Sequence, residues 1–320
     1  MPIRACLLPF SVLLLGQLSS AVAATYTIPE AGSVLGQVQV VVAKHEDTLL
    51  DMGRRYGVGY EEIVAANPGV DPWLPGEGTQ VIIPSRYILP DAPRQGIVVS
   101  LAEHRLYYFP APKPNEAPVV VTYPISVGKM DWKTPLGLTR ITNKRTRPIW
   151  YPPESVRKEH AADGRPLPKA VPPGPDNPLG DYAMRLDIPG GAYLIHGTNN
   201  PRGVGMQVTH GCIRMYPEDI EQFFKMVAVN TPVRIIHQPY KMGWDGNEQL
   251  YMEVHAPLEG SGEQDIHSLT QITRLLVTAT QDRPSGVIDW ARAEQTFSRA
   301  TGIPEPVMLD APTSQLVDTP

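Results

Sequence analysis

Val208-Thr209-His210-Gly211-Cys212-Ile213-Arg214-Met215, preceded by Tyr193-Leu194-Ile195-His196-Gly197-Thr198, is the stretch on which the reading of this chain turns. A free cysteine is only a few per cent thiolate at neutral pH, so a catalytic one needs a base or a cation beside it. Two histidines are on offer. His196 stands at the end of a strand-like run, and Gly197 behind it lets another backbone approach closely. His210 is two residues from the thiol and would share its direction in an extended segment, but Gly211 between them favours a turn. Gly211 also frees the backbone N–H groups beside the nucleophile to face an attacked carbonyl, as an oxyanion site requires. Arg214 can hold a carboxylate or phosphate with two parallel hydrogen bonds, or serve as a structural clamp. His196, His210 and Cys212 could also supply three zinc ligands. Against that, the stretch has no second cysteine, and Glu218 and Asp219 are expected to cap a helix.

The two ends of the chain sharpen this picture. Residues 1–24 hold Arg4, a short apolar run from Leu7 to Leu18, and a small-residue close at Ala21-Val22-Ala23-Ala24, the pattern of a cleaved secretory signal peptide. The run is too short to span a bilayer. Cys6 would leave with the signal, so Cys212 would be the sole thiol of the mature chain, with no internal disulfide partner. The net charge of -5 contains no long basic run, which excludes a nucleic-acid footprint. Proline makes up 35 of the 320 residues, roughly twice the usual share, and favours loops and short strands over long helices.

Working outward, residues 38–84 read as strand, helix, helix, strand. Gln39 to Val42 is strand-like, Asp47-Thr48 offers a helix N-cap, Asn67-Pro68-Gly69 breaks a second short helix, and Gln80 to Ile83 closes the unit. Residues 85–95, with two prolines and no periodicity, read as a linker. Beyond them, 96–240 is rich in strand candidates: a hairpin of Gly96–Leu101 and Arg105–Phe109, then Val119–Val127, Gly137–Thr142, Tyr182–Ile188, Ala192–His196 and Val233–His237. One helix is expected, opened by Pro217 and buried through Ile220, Phe223, Phe224 and Val227. The polar, proline-rich stretch 145–177 reads as a long loop of the kind that serves as a lid. Residues 241–305 form a C-terminal extension with helical spacing, and 306–320 a disordered tail.

On these residues two resemblances emerge. Asp47-Thr48-Leu49, Tyr56-Gly57-Val58, Ala66 to Asp71 and Gly76 to Pro84 resemble a LysM module, which implies binding to glycan strands containing N-acetylglucosamine. His196-Gly197 followed by Thr209-His210-Gly211-Cys212-Ile213-Arg214 resembles the YkuD-type L,D-transpeptidase catalytic domain. Ile125-Ser126-Val127-Gly128 and Thr134-Pro135-Leu136-Gly137 support it. The resulting fold class is α+β: a βααβ LysM module, a mainly β sandwich or barrel domain with one helix, and a helical C-terminal appendage.

The second resemblance implies a periplasmic acyltransferase of cell-wall organisation. Cys212 would attack the meso-diaminopimelate–D-Ala bond of a peptidoglycan tetrapeptide stem and release D-Ala. His196 would be the general acid and base, oriented by the Gly197 carbonyl. Gly211 and Cys212 would supply the oxyanion N–H groups, while Thr209, His210 and Arg214 would contact the substrate. No cofactor or metal is implied. The acceptor would be the C-terminal lysine of the major outer-membrane lipoprotein or another diaminopimelate. Water as acceptor would make a carboxypeptidase, and loss of the chemistry would leave a wall-binding protein.

Overall fold

The computed structural model describes residues 24–129, 132, 134–260, 269–282 and 287–309. The expected signal peptide lies outside these residues apart from Ala24, and so does the tail from 310 onward.

A nine-stranded sheet forms the centre of the molecule, in the order β1-β8-β7-β6-β15-β10-β11-β12-β14. Its strands are β1 (Ala24–Thr27), β6 (Gly96–Ser100), β7 (Arg105–Phe109), β8 (Val119–Pro124), β10 (Gly137–Thr146), β11 (Tyr182–Leu186), β12 (Leu194–His196), β14 (Ile213–Arg214) and β15 (Pro232–Ile236). The β6–β7 hairpin falls where the alternating pattern puts it. Residues of β6 alternate between faces, and both faces are covered. Ile97 and Val99 join the larger core, together with Tyr123, Ile195, Ile213 and Phe223. Val98 turns to a second cluster with Tyr107, Val120, Ile28, Leu35 and Leu89. Being buried on both sides, β6 carries three apolar residues in a row, Ile97-Val98-Val99. α4 (Pro217–Met226) packs on the larger core through Ile220 and Phe223. Its first turn departs from expectation: Glu218 pairs with Arg54, and Asp219 is buried instead of capping.

Residues 38–84 fold around a core of their own. β3 (Gln39–Val42) pairs antiparallel with β4 (Gln80–Ile83), and α1 (Leu49–Arg55) and α2 (Tyr60–Ala66) lie between them in sequence. Thr48 caps α1, its hydroxyl accepting from the Asp51 N–H at 3.0 Å. Asn67 stops α2 and ties it to β4, donating to the Ile63 and Ile82 carbonyls and accepting from the Ile82 N–H. Leu49, Met52, Val58, Ile63, Val81 and Ile83 fill the interior.

This unit is clamped to the central sheet. Arg105, fully buried, forms two hydrogen bonds with Glu62 of α2 at 2.7 and 2.9 Å, donates to the Gly57 carbonyl, and lies over the Tyr87 ring. The Tyr60 and Glu61 N–H groups donate to the Val204 and Gly205 carbonyls. Gly205 has φ of +87°, and a Cβ there would stand 2.2 Å from the Tyr60 nitrogen. Backbone meets backbone at this seam.

Several expectations need correction. Residues 85–95 are not a free linker: β5 (Arg86–Ile88) pairs antiparallel with β2 (Val34–Gly36), and Tyr87, Ile88 and Leu89 are buried. The central sheet is not confined to 96–240, because β1 pairs with β8 from ahead of the βααβ unit. The 145–177 stretch carries α3 (Glu154–Ala162), so the region holds a second helix. Only Val156 of α3 is buried, which is why no apolar stripe marks it. The C-terminal extension is not purely helical. β16 (Tyr240–Trp244), β17 (Leu250–Val254) and β18 (Glu305–Pro306) make a sheet, covered by α5 (Leu269–Thr280) and α6 (Trp290–Arg299). Residues 306–309, expected in a disordered tail, belong to this unit: Pro306 pairs with Tyr251, and Val307 and Met308 are buried.

Candidate active site

β12 and β14 run parallel, with Ile195 opposite Ile213 and His196 opposite Arg214. Ile195 and Ile213 are fully buried in the larger core, so alternation turns His196 and Arg214 to the other face. Cys212 stands immediately before β14, partly exposed. The strand beyond is fastened twice: Met215 N–H donates to the His196 carbonyl at 2.9 Å, and Ser126 and Arg214 exchange backbone hydrogen bonds at 2.8 and 3.1 Å.

The turn ahead of Cys212 is built from small residues and threonines. Gly211 has φ of +93°, a conformation that L side chains rarely adopt. Its carbonyl accepts from the Thr134 hydroxyl at 3.0 Å, and the Cys212 carbonyl accepts from Thr209 at 2.6 Å. β9 (Val127–Gly128) supports the turn from beside β13 (Gln207–Thr209), with which it pairs in parallel. A Cβ on Gly128 would lie 3.1 Å from the Gly211 Cα and 2.1 Å from the Trp132 carbonyl oxygen. Gly128 and Thr134 thus hold Gly211, the residue ahead of the thiol, from below.

His196 is buried, and its Nδ1 lies 2.7 Å from the Gly197 carbonyl oxygen. A carbonyl can only accept, so Nδ1 carries the proton and Nε2 keeps its lone pair. Burial, aided by the Arg214 charge and opposed by hydrogen bonds to the backbone of Gly197 and Leu179, lowers the imidazole pKa to about 3. Burial also pushes the Cys212 thiol up, against the Leu194 backbone and the Arg214 charge. The thiol contacts the Ala192 carbonyl at 3.5 Å. At neutral pH the pair therefore rests as thiol and neutral imidazole.

Arg214 is held below its usual pKa by burial, and its Nε has no hydrogen-bond partner among the described residues. Its Nη1 would be 3.3 Å from a Cβ on Gly203, leaving room for glycine and little more. The arrangement is a desolvated guanidinium beside the thiol and imidazole, able to take a carboxylate.

His210 faces elsewhere. Its Nε2 pairs with Glu159 of α3 at 2.7 Å, and the other Glu159 oxygen pairs with Lys129 Nζ at 2.7 Å. The Trp132 ring meets the His210 ring edge-on at 5.1 Å. These contacts hold Glu159 at a pKa of about 2, the Lys129 hydrogen bond first and His210 second. The residues weighed as zinc ligands are thus engaged separately. Arg214 acts electrostatically on both Cys212 and His196, Gly197 holds the imidazole, and Gly211 and Thr209 shape the turn at Cys212, while His210 links that turn to α3. Glu159 and Lys129 escaped the sequence reading, and Thr134 entered it only as part of a supporting motif, without its role under Gly211. Pro153 ahead of Glu154 was the available signal for α3, since proline commonly precedes a helix start.

The L,D-transpeptidase catalytic domain model (YkuD) matches residues 94–235. Probable L,D-transpeptidase YcfS of Escherichia coli (strain K12) is 41% identical over 249 residues, 77% of this chain and 77% of that one. Probable L,D-transpeptidase ErfK/SrfK of Salmonella typhimurium is 37% identical over 311 residues, covering 95% and 97% of the two chains. Probable L,D-transpeptidase YbiS of Escherichia coli (strain K12) is 37% identical over 297 residues, covering 90% and 94%.

Proposed function

This chain belongs to the L,D-transpeptidase family that carries the YkuD catalytic domain, and on that premise we propose that Cys212 is its acyl-transfer nucleophile. The protein is an L,D-transpeptidase, an acyltransferase acting on peptidoglycan. The observation that carries the assignment of roles is the His196 tautomer: with Nδ1 donating to Gly197, the Nε2 lone pair is the base available to the thiol.

Cys212 Sγ attacks the carbonyl carbon of the meso-diaminopimelate–D-Ala bond as its proton passes to His196 Nε2. The N–H groups of Gly211 and Cys212 take the developing oxyanion. The C–N bond breaks, the His196 proton goes to the departing D-Ala amine, and a thioester remains on Cys212. An acceptor amine then attacks the thioester, giving its proton to His196, and the thiol is restored. Arg214 receives a carboxylate of the stem; Thr209 and His210, expected beside the substrate, instead brace the turn through the Cys212 carbonyl and Glu159.

The C-terminal lysine of the major outer-membrane lipoprotein is the acceptor of first choice, as the LysM-plus-catalytic layout suggests. Another diaminopimelate would give a direct cross-link. Residues 38–84 are read as a LysM module gripping glycan strands, a reading supported by the βααβ order and by exposed Trp73 and Leu74 in the loop after α2. Export to the periplasm through a cleaved leader at 1–24 completes the reading.

Mass spectrometry of the protein with disaccharide-tetrapeptide, with and without a lysine-ended lipoprotein peptide, tests the mechanism. D-Ala release and a Cys212-dependent acyl adduct are expected. Cys212→Ala should abolish both, and His196→Asn should slow the reaction by roughly 10²–10⁴-fold. If the tetrapeptide never yields D-Ala, the mechanism is wrong; the amine found in the product identifies the acceptor.

A further inference from the structure

A second site lies outside the catalytic turn. A cavity of about 450 Å³ opens where the βααβ unit, the central sheet and the C-terminal unit meet. Glu61 of α2, Glu103 and His104 from the β6–β7 turn, Val208 of β13, and Leu258 and Glu259 after β17 line it.

At its base lies a buried charge cluster. Lys241 Nζ pairs with Glu103 Oε2 and Glu253 Oε1, each at 2.8 Å, and donates to the Ile88 carbonyl. All three ammonium hydrogens are thereby committed. Glu253 Oε1 also meets His255 Nε2 at 2.6 Å, and Glu253 Oε2 accepts from the Ile88 N–H. The Tyr107 hydroxyl takes Glu103 Oε2. What is left over is Glu103 Oε1, on a residue only 2% exposed, with no hydrogen-bond partner among the described residues. His104 Nε2, on a residue 8% exposed, is likewise unpartnered. Both residues face the cavity. A buried carboxylate oxygen without a donor is costly, and a site that keeps one is short of a donor.

We propose that this cavity binds a primary alkylammonium group, with Glu103 Oε1 and His104 Nε2 accepting its hydrogens and Glu61 and Glu259 neutralising its charge. Several features select that chemistry. The cluster of carboxylates calls for a cation. A divalent metal is disfavoured, because the Lys241 ammonium already sits between the two carboxylates that a metal would bridge. Val208 and Leu258 supply apolar wall for an alkyl stem, which a hydrated metal ion does not need. Burial lowers the His104 pKa to about 4, with the His255 and His237 charges acting the same way, so the ring is neutral and can accept. Glu61 is raised first by the partial desolvation of its carboxyl at the cavity mouth and then by the Glu259 charge.

The alkylammonium could come from a free diamine or from a lysine-type side chain on a peptide. Titration calorimetry on the full chain tests the proposal, with cadaverine and N-acetyl-lysine methylamide as probes, and 1-pentanol and Zn²⁺ as controls. Saturable one-to-one binding of an ammonium probe is expected, at least tenfold tighter than pentanol. The better of the two probes identifies the source. Glu103→Gln and His104→Asn should each weaken it tenfold or more, and asparagine tolerates the positive φ of 51° found at His104. Glu61→Gln, at an exposed position, guards against a folding artefact and should weaken binding a few-fold. Cys212→Ala should bind like the wild type, which separates this site from the acyl-transfer reading. The proposal is overturned if neither ammonium probe saturates, if both acceptor variants, Glu103→Gln and His104→Asn, bind normally, or if Zn²⁺ alone occupies the site.

Discussion

At the residue scale the chemistry turns on two neutral groups. Burial that raises the thiol and lowers the imidazole to about 3 favours the neutral thiol and imidazole over a thiolate–imidazolium pair. Proton transfer must accompany attack, when the substrate has displaced solvent. Alkylation of Cys212 by iodoacetamide should therefore be slower at pH 7 than that of free cysteine and should climb into the alkaline range; a reactive plateau below pH 7 would contradict this. By the same reasoning kcat/KM should show no inflection near 6.5, the ordinary histidine value, because His196 stays neutral down to about pH 3. Cys212, His196 and Arg214 could be singled out in the sequence because thiol, imidazole and guanidinium fall within a short span, and the fold sets them on and beside the paired strands β12 and β14. The partner of His210 could not be. Glu159 meets His210 from 51 positions away, and nothing in the local spacing of either announces it.

At the element scale α3 shows how a helix can act while offering little to read. Glu159 fastens it to the catalytic turn through Lys129 and His210, and all three side chains are between 29% and 39% exposed. Ion pairs that open to water are worth about 0–1 kcal/mol each, so the attachment holds loosely enough to release. Glu159→Gln should leave Tm nearly unchanged, speed hydrogen exchange in α3, and shift KM more than kcat; unchanged α3 exchange would remove Glu159 from this role. β5 escaped notice because three residues between prolines carry no periodicity, although Ile88 and Leu89 are deeply buried. α4 was legible as a helix, but its Asp219 was misjudged. Burial, then the Glu218 charge, raises this carboxyl to about 7. The folded state thus binds a proton that the unfolded chain releases near pH 4. Its stabilising effect is present at low pH and is lost as pH rises toward 7. Asp219→Asn should raise Tm by several degrees at pH 8, reflecting on the order of 2–4 kcal/mol, and change it little at pH 4. Thermal melts at the two pH values decide it.

At the scale of the whole molecule three units share one frame. The βααβ order and the strand-rich middle could be read from periodicity and breakers, since both are local. That β1 would cross from ahead of the βααβ unit to pair with β8 could not, because strand pairing at that separation leaves no mark in either segment. The clamp depends on Arg105, whose guanidinium is fully buried against Glu62 and stacked on Tyr87. Arg105→Met would strand the Glu62 carboxylate and should cost about 3–5 kcal/mol, seen as a lowered denaturant midpoint. A loss below 1 kcal/mol would mean the clamp is ornamental. The seam between Gly59–Tyr60 and Val204–Gly205 has a different consequence. Side chains can swing and absorb a push, whereas touching backbones cannot. Gly203, just before the seam, accepts from the Ser126 hydroxyl and abuts Arg214. A displacement of the βααβ unit would therefore pass with little loss through Val204 and Gly205 to Gly203, and from there toward Ser126 and Arg214.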